Sequence, residues 1–139
     1  MEVKLVTAVD DDLVAAFARL MPLLNDTARP PSRDELAEIV ENGQLFVARD
    51  PEIIGVLTLN IYRVPTGLSA RIDDVIVATE ARGRGVGEAL TRAAIDHARA
   101  AGARAVNLTS HPRREAANRL YQRVGFERRD TNVYVYKLR

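Results

Sequence analysis

The chain has 139 residues, of which 47% are hydrophobic and 28% are charged, and its formal net charge is +1. These values are typical of one soluble globular domain that buries about two-thirds of the surface exposed by the unfolded chain. The absence of cysteine excludes disulfide bonds, thiolate metal sites and a cysteine nucleophile, and no apolar run approaches the roughly 20 residues that span a bilayer.

Apolar periodicity and turn residues predict an α/β chain without internal repeats. In the first half, the predicted elements are strands at Val3–Val9, Gln44–Arg49 and Ile53–Tyr62 and helices at Asp10–Leu24 and Arg33–Glu41. In the second half, they are strands at Ser69–Ala78, Ala105–Ser110 and Thr131–Leu138 and helices at Val86–Ala101 and Arg114–Val124. The strands form first a meander and then a strand–helix–strand unit. This order predicts a single domain over residues 1–139, with a sheet of mixed strand direction flanked by helices.

Capping residues support the predicted helix boundaries. Asp10 is the predicted N-cap of the first helix, and Ser32 precedes the second helix with Glu35 at the capping-box position. Gly43 and Gly102 follow the ends of two helices, where glycine commonly terminates a helix.

Charge is distributed unevenly along the chain. Residues 1–70 hold 6 Lys/Arg and 11 Asp/Glu, whereas residues 71–139 hold 14 and 8. A basic second half fits a polyanionic ligand and an acidic first half fits a cationic one, although ordinary variation in surface charge is an equal alternative. No basic run is interleaved with aromatic residues, which disfavours nucleic-acid binding.

The segment Arg82–Gly87 carries three glycines and two arginines between a predicted strand and a predicted helix. Glycines let the backbone approach a bulky anion, and the first N–H groups of a helix, with the helix dipole, favour negative charge. The segment is therefore a predicted phosphate-binding turn. The alternative interpretation is a glycine-rich turn without a ligand.

Two common phosphate-binding motifs do not fit this turn. A nucleotide P-loop requires Lys-Ser/Thr after its last glycine, and here Glu88 follows Gly87. A dinucleotide-binding fold places Gly-x-Gly-x-x-Gly after its first strand, whereas these glycines have another spacing and lie beyond the middle of the chain. His97 shares an apolar helix face with Val86 and Leu90, so we interpret it as a packing residue.

The second half of the chain resembles the GNAT superfamily of N-acetyltransferases. Arg82-x-x-Gly85-x-Gly87 after a strand matches the Arg/Gln-x-x-Gly-x-Gly/Ala signature, and the resemblance continues through Asn118-x-x-Tyr121 and Gly125-Phe126. It implies an acetyl-CoA co-substrate, no metal, and a cofactor arm along the strand. The implied cofactor-binding residues are Val75, Ile76, Val77, Arg82, Gly83, Arg84, Gly85, Val86, Gly87, Glu88 and Asn118.

Asp73 and Asp74 interrupt the apolar pattern of the strand before the turn. Alternation sends adjacent residues to opposite faces unless a bulge intervenes. Acetyl transfer to an ammonium needs a group that takes its proton, and a carboxylate can do so directly or through a water. The resemblance implies this role for an acidic residue on this strand, and we expect Asp74 before Asp73, with His111 third. The alternative is that both aspartates are solvated or pair with an arginine such as Arg71.

Asn118 and Tyr121 lie three residues apart, so they project from the same side of the predicted helix. Expulsion of a thiolate is assisted by a positioned hydroxyl that donates a proton. The resemblance implies that Tyr121 is this general acid and that Asn118 contacts the cofactor arm. The alternatives are a boundary tyrosine and a solvated asparagine.

Taken together, these features predict a cytoplasmic N-acetyltransferase that acetylates a primary amine, of a small molecule, by direct attack in a ternary complex. The alternatives are a non-catalytic acyl-CoA-binding sensor and an enzyme that acetylates a protein or peptide amine. We expect neither a nucleic acid nor a membrane partner, and a homodimer is left open.

Overall fold

The computed structural model covers Met1–Arg139 and contains one five-stranded sheet in the order β1-β2-β3-β4-β5. The strands are β1 (Glu2–Leu5), β2 (Gln44–Arg49), β3 (Ile53–Val64), β4 (Gly67–Val77) and β5 (Val106–Asn107). The helices are α1 (Asp11–Leu24), α2 (Arg33–Asn42), α3 (Val86–Ala101) and α4 (Glu115–Val124), with one 3₁₀ turn at Thr79–Ala81. Neighbouring strands are antiparallel except β4 and β5, which are parallel. The predicted α/β fold with a sheet of mixed strand direction is confirmed, and the mixed sheet is mostly antiparallel.

The hydrophobic core lies between the sheet and the first three helices. α1 packs on β3 and β4, α2 packs on β2, and α3 packs on β2, β3 and β4. Full burial of one leucine stabilises the fold by about 1.5–3 kcal/mol. The fully buried leucines are Leu13, Leu20, Leu36, Leu45, Leu57, Leu59 and Leu90. All seven lie on β2, β3 or the helices that pack on these strands, so β2 and β3 are the most firmly held part of the sheet.

The predicted helix caps are present. Asp10 accepts a hydrogen bond from the Leu13 N–H at 2.9 Å. Ser32 and Glu35 form a reciprocal capping box, with bonds of 3.1 Å to the Ser32 hydroxyl and 2.8 Å to the Glu35 carboxylate. Gly102 ends α3 in the left-handed conformation, at φ 89°. No helix is both long enough and apolar enough to cross a membrane.

The chain divides into two compact units, Met1–Thr109 and Ser110–Arg139. The first unit contains the whole sheet and α1–α3, and the second contains α4 and the C-terminal segment. The expectation of one domain over residues 1–139 stays a prediction.

The structure corrects the extent of three predicted strands. Residues 131–138 form no strand, so that prediction was wrong: their alternating sequence favours extended backbone, but a strand also requires a neighbour to pair with. β5 has two residues instead of the predicted Ala105–Ser110, because its ladder with β4 contains only two pairs. β1 ends at Leu5 rather than Val9, since the chain turns there toward the Asp10 cap of α1.

Candidate functional site

A β-bulge interrupts β4 directly before the glycine-rich turn. Thr58 pairs with Asp73 and Val56 with Ile76, so two residues of β4 lie opposite one residue of β3. One of these two residues is Asp74, whose φ of 52° lies in the left-handed region. This conformation is uncommon for a residue with a side chain, and aspartate tolerates it better than most. The bulge therefore breaks the simple alternation of faces at the two aspartates.

The end of β4 has a neighbouring strand on only one side. β5 pairs with β4 at Ala70 and Arg71 and no further, whereas β3 continues to pair along β4 as far as Val77. Backbone groups on the open side of residues 73–77 are therefore not used by a sheet ladder. Such an open edge can hydrogen-bond to an extended ligand.

The two aspartates of β4 have different surroundings. Asp73 accepts a hydrogen bond from the Arg71 guanidinium at 3.1 Å, and Arg71 also lies 3.5 Å from the Thr109 hydroxyl. Asp74 is exposed at the residue level and forms no ion pair. Partial burial of its carboxyl raises the pKa of Asp74, and the negative charge of Asp73 raises it further. Asp73 is thus paired with an arginine, and Asp74 is the unpaired carboxyl whose pKa is raised.

The glycine-rich turn connects the 3₁₀ turn to α3. Ala81 is fully buried, whereas residues 82–85 are exposed. Gly83 and Gly85 have φ values of 77° and 79°, and a Cβ atom at either position would meet nothing within 4 Å. These glycines are therefore required by backbone conformation and leave open space above the turn.

The first turn of α3 offers backbone donors to that open space. The first intrahelical bond joins the Ala89 N–H to the Gly85 carbonyl at 3.0 Å, and no side chain caps this end of the helix. The N–H groups of Val86 and Gly87 precede that bond. A helix N-terminus of this kind favours an anion through these donors and the helix dipole.

Gly55 on β3 sets how closely α3 approaches the sheet. A Cβ atom there would lie 2.8 Å from Val86 Cγ1 and 3.0 Å from Leu90 Cδ1. A side chain at this position would therefore force the Val86 and Leu90 side chains, or the helix that carries them, to shift. Sequence reasoning missed this residue, and a lone glycine within a strand was the only signal of a close approach.

The arginines of the turn are not equivalent. Arg84 donates a hydrogen bond to Asp50 at 2.7 Å, and the Met1 amino group lies 3.9 Å from the same carboxylate oxygen. Arg82 is exposed and forms no ion pair. The sequence carried no signal for Asp50, because it lies 34 residues before Arg84 in the chain.

Tyr121 lies in the second unit, on α4. Its ring packs edge-to-face on Phe126, with centroids 5.6 Å apart. Burial raises the pKa of Tyr121, and the positive charge of Arg114 lowers it by a smaller amount. The phenol therefore stays protonated at neutral pH, which is the state that a general acid requires.

Asn118 and His111 are engaged in the turn before α4. The Asn118 amide donates toward three oxygens: Ser110 Oγ at 3.3 Å, the His111 carbonyl at 3.0 Å and the Arg114 carbonyl at 2.8 Å. His111 Nδ1 accepts a bond from the Arg113 N–H at 3.0 Å. In the neutral imidazole this bond is compatible with a proton on Nε2, and the Nδ1 lone pair is turned toward the Arg113 N–H.

Two remaining predictions concern His97 and metals. The His97 ring packs edge-to-face on Phe46 of β2, with centroids 5.7 Å apart, which confirms the interpretation as a packing residue. The structure contains no group of three or more His, Cys, Asp or Glu side chains that could hold a metal ion.

Comparison with known proteins gives one curated relative and many similar structures. Over 57 residues, the chain is 49% identical to a mycothiol acetyltransferase from Paenarthrobacter aurescens (strain TC1). That segment is 41% of this chain and 18% of the relative, so the chain spans less than a fifth of that protein.

Two solved structures illustrate the likeness in fold. An aminoglycoside acetyltransferase from an uncultured soil metagenomic sample superimposes with a TM-score of 0.84, at 19% identity over 99% of this chain and 96% of the other. A ribosomal-protein-alanine N-acetyltransferase from Brucella melitensis biovar Abortus 2308 gives a TM-score of 0.78, at 22% identity over 99% and 100%. At these identities the likeness establishes the fold alone.

The sequence also matches a family model over residues 6–126, which is most of the chain. The model is described as the acetyltransferase (GNAT) family. This match confirms the predicted family and, at the level of the family, the predicted enzyme class. The chain belongs to the GNAT family of acetyltransferases.

Proposed function

We propose that this chain is an acetyl-CoA-dependent N-acetyltransferase whose acceptor is the primary amine of a small molecule. The observation that carries the proposal is the continuity of three features in the first unit: the bulge at Asp74, the open edge of β4, and the exposed turn at the start of α3. An extended cofactor arm would bond to the open edge from Val75 to Val77, and its diphosphate would lie on the turn.

Transfer would proceed by direct attack of the amine on the thioester. The amine nitrogen forms a bond to the acyl carbon and loses a proton, the carbon–sulfur bond breaks, and the thiolate takes up a proton. A primary ammonium has a pKa near 10, so about one acceptor in 10³ is the free amine at pH 7. We assign removal of the ammonium proton to Asp74, because its raised pKa and lack of an ion pair suit a base better than the arginine-bound Asp73.

The turn is tested by Gly85→Asp. The substitution puts a carboxylate into the open space above the turn and forces it into a left-handed conformation that costs about 1–2 kcal/mol. We expect loss of acetyl-CoA binding in calorimetry. Gly102→Asp is the matched control, since Gly102 has the same conformation and the same open space at the far end of the helix. Equal affinity in the two folded variants would contradict the assignment of the turn.

Protonation of the leaving thiolate is assigned to Tyr121. Tyr121→Phe keeps the ring contact with Phe126 and removes only the hydroxyl. We expect kcat to fall by roughly 10–10³-fold with little change in acetyl-CoA affinity, because the acid acts only during C–S cleavage. Tyr134→Phe is the control, since that ring is exposed in the same unit. Unchanged turnover in Tyr121→Phe would leave the tyrosine with a packing role.

The acceptor is tested with a panel of amines. Release of free thiol from acetyl-CoA would be followed with small amines, polyamines, amino acids and peptides. The net negative charge of residues 1–70 favours a cationic small molecule. Turnover with peptides alone would replace this acceptor class by a protein amine. Tight acetyl-CoA binding without turnover on any amine would favour a cofactor-binding sensor.

A further inference from the structure

The glycine-rich turn is joined to the turn between β2 and β3 by an ion pair. Asp50 follows β2, and its N–H donates to the Glu52 carbonyl at 2.8 Å, which closes a tight turn before β3 begins at Ile53. The Asp50 carboxylate accepts a hydrogen bond from the Arg84 guanidinium at 2.7 Å. A negative charge anchored at the end of β2 is therefore in direct contact with the turn to which we assign the cofactor diphosphate.

Arg84 belongs to the body of the glycine-rich turn. It lies between Gly83 and Gly85, which both adopt the left-handed conformation and have open space above them. Arg82, the other arginine of the turn, is exposed and forms no ion pair. Of the two cations that could contact a diphosphate here, Asp50 therefore engages only one.

A carboxylate and a phosphate compete for the same arginine. The planar guanidinium forms similar charge-assisted hydrogen bonds with either anion. Two anions that share one guanidinium would also lie within a few ångströms of each other and repel. Binding of a diphosphate by Arg84 and the ion pair with Asp50 are therefore alternatives.

The ion pair is weak enough to be replaced by a ligand. The side chains of Arg84 and Asp50 are 48% and 42% exposed. Exposed ion pairs are screened by solvent and salt, and they change an equilibrium constant by about fivefold at most. A diphosphate carries more negative charge than one carboxylate and also accepts hydrogen bonds from backbone N–H groups at a helix N-terminus. Its attraction for Arg84 should therefore exceed that of Asp50.

We propose that Asp50 is a positioning residue for the cofactor: it holds Arg84 in the free enzyme and releases it to the diphosphate when acetyl-CoA or coenzyme A binds. This exchange rests on the proposed function in one respect, namely that the turn binds the cofactor diphosphate. Because the ion pair breaks on each binding event and re-forms on each release, Asp50 weakens the binding of substrate and product alike. Weaker binding of the product favours its rapid release, which limits the turnover of many enzymes.

The first test is a double-mutant cycle on affinity. The Kd values of coenzyme A and of inorganic diphosphate are measured by calorimetry at low salt for the wild type, Asp50→Asn, Arg84→Gln and the double variant. We expect Asp50→Asn to bind both ligands about two- to fivefold more tightly, because Arg84 no longer has to leave a carboxylate. We expect Arg84→Gln to bind them more weakly, and Asp50→Asn to have no effect in that background.

Glu52→Gln is the matched control for charge. Glu52 lies two residues from Asp50 in the same turn, is exposed and forms no ion pair, so this variant removes the same charge without releasing an arginine. Equal tightening by Glu52→Gln, or equal tightening by Asp50→Asn with and without Arg84, would assign the effect to the general field of the protein and overturn the exchange. Unchanged or weaker binding by folded Asp50→Asn would also overturn it.

The second test uses the wild-type chain and so does not depend on the folding of a variant. NMR signals of the Arg84 guanidinium nitrogens and of the Asp50 carboxyl carbon are followed while inorganic diphosphate is added. We expect both signals to shift with the same midpoint, since one ion pair replaces the other. A shift at Arg84 with a constant Asp50 signal would show that the guanidinium is shared, and a constant Arg84 signal would show that it does not meet the ligand. Either result would contradict the exchange.

These tests separate the exchange from the acetyl-transfer activity. A chain that binds coenzyme A and acetylates no amine would fail as an enzyme and could still show the full pattern of affinities. An active chain with equal affinities in the wild type and Asp50→Asn would keep the proposed function and lose the exchange. A chain that binds neither coenzyme A nor diphosphate would contradict the cofactor site and the exchange together.

Discussion

Asp74 combines two unfavourable features at one residue. Its backbone is in the left-handed region at φ 52°, and partial burial with the negative charge of Asp73 raises the pKa of its carboxyl. A residue kept in an unfavourable conformation and environment is more common at functional sites than elsewhere. The same features that suit Asp74 to take up a proton should therefore reduce the stability of the fold.

The effect on stability depends on pH. Because the folded-state pKa of Asp74 is raised, folding favours the protonated carboxyl. The stabilisation that protonation gives to the fold is complete only below the unfolded-state pKa of about 3.9. It is lost as the pH rises through the folded-state value. At neutral pH the ionised carboxylate is a net cost, and at low pH this cost is absent.

We therefore expect Asp74→Asn to raise Tm at pH 7 and to leave Tm nearly unchanged near pH 3, since asparagine also tolerates the left-handed conformation. The same variant should raise the acceptor KM and flatten the rise of the rate with pH. Asp73→Asn is the matched control, because it removes the partner of Arg71 and should not stabilise. Thermal melts at both pH values, with pH–rate profiles, measure the two effects.

Two results would assign the acceptor proton elsewhere. If Asp74→Asn and Asp73→Asn keep the wild-type pH–rate profile while His111→Ala loses its ascending limb, histidine takes the proton despite its bond from the Arg113 N–H. If all three variants keep the profile, the amine loses its proton to solvent.

At the scale of elements, helices were predicted best because their boundary signals are local. Ser32 and Glu35 lie three residues apart, and the capping box that they predict is present. Gly102 ends α3 because glycine readily adopts the left-handed conformation, which depends on that residue alone. The turn at Gly85 belongs to the same group, since strand, glycine and helix follow one another in sequence.

The features that sequence reasoning missed depend on distant residues. The Arg84–Asp50 ion pair and the approach of α3 to Gly55 each join residues about 30 positions apart. The extent of β5 and the absence of a strand at residues 131–138 depend on whether a neighbour is available. Alternation in a sequence indicates which residues can form a strand and does not indicate what pairs with it.

The capping box of α2 predicts that the stability of the fold depends on pH. A hydrogen bond from Arg29, and then the Ser32 N–H, lower the pKa of Glu35 to about 2. The folded-state pKa of Glu35 lies below its unfolded-state pKa of about 4.3. The ionised Glu35 therefore stabilises the fold at neutral pH, and this stabilisation is lost as the pH falls toward 2. We expect Glu35→Gln to lower Tm slightly at pH 7, by an amount that shrinks progressively below pH 4.

Glu38→Gln provides the comparison for this effect, since Glu38 is exposed on the same helix and its side chain forms no ion pair. Its Tm should follow that of the wild type at every pH. Thermal melts at several pH values measure both variants. If the Tm of Glu35→Gln is lowered by the same amount at pH 3 as at pH 7, the ionised carboxylate is not the source of the lower Tm.

At the scale of the whole molecule, burial is confined to the first unit. Every buried residue lies at or before Ala98, and α4 contains none. Amides that open only by disrupting a buried core exchange slowly, whereas exposed backbone without a ladder exchanges quickly. The two units should therefore differ strongly in hydrogen exchange.

We expect the amides of β3 and the paired part of β4 to exchange slowest and those of residues 126–139 to exchange fastest in dilute solution. Hydrogen exchange followed by mass spectrometry measures both rates. Exchange of the β3 amides as fast as those of residues 126–139 would contradict a core that is centred on β3.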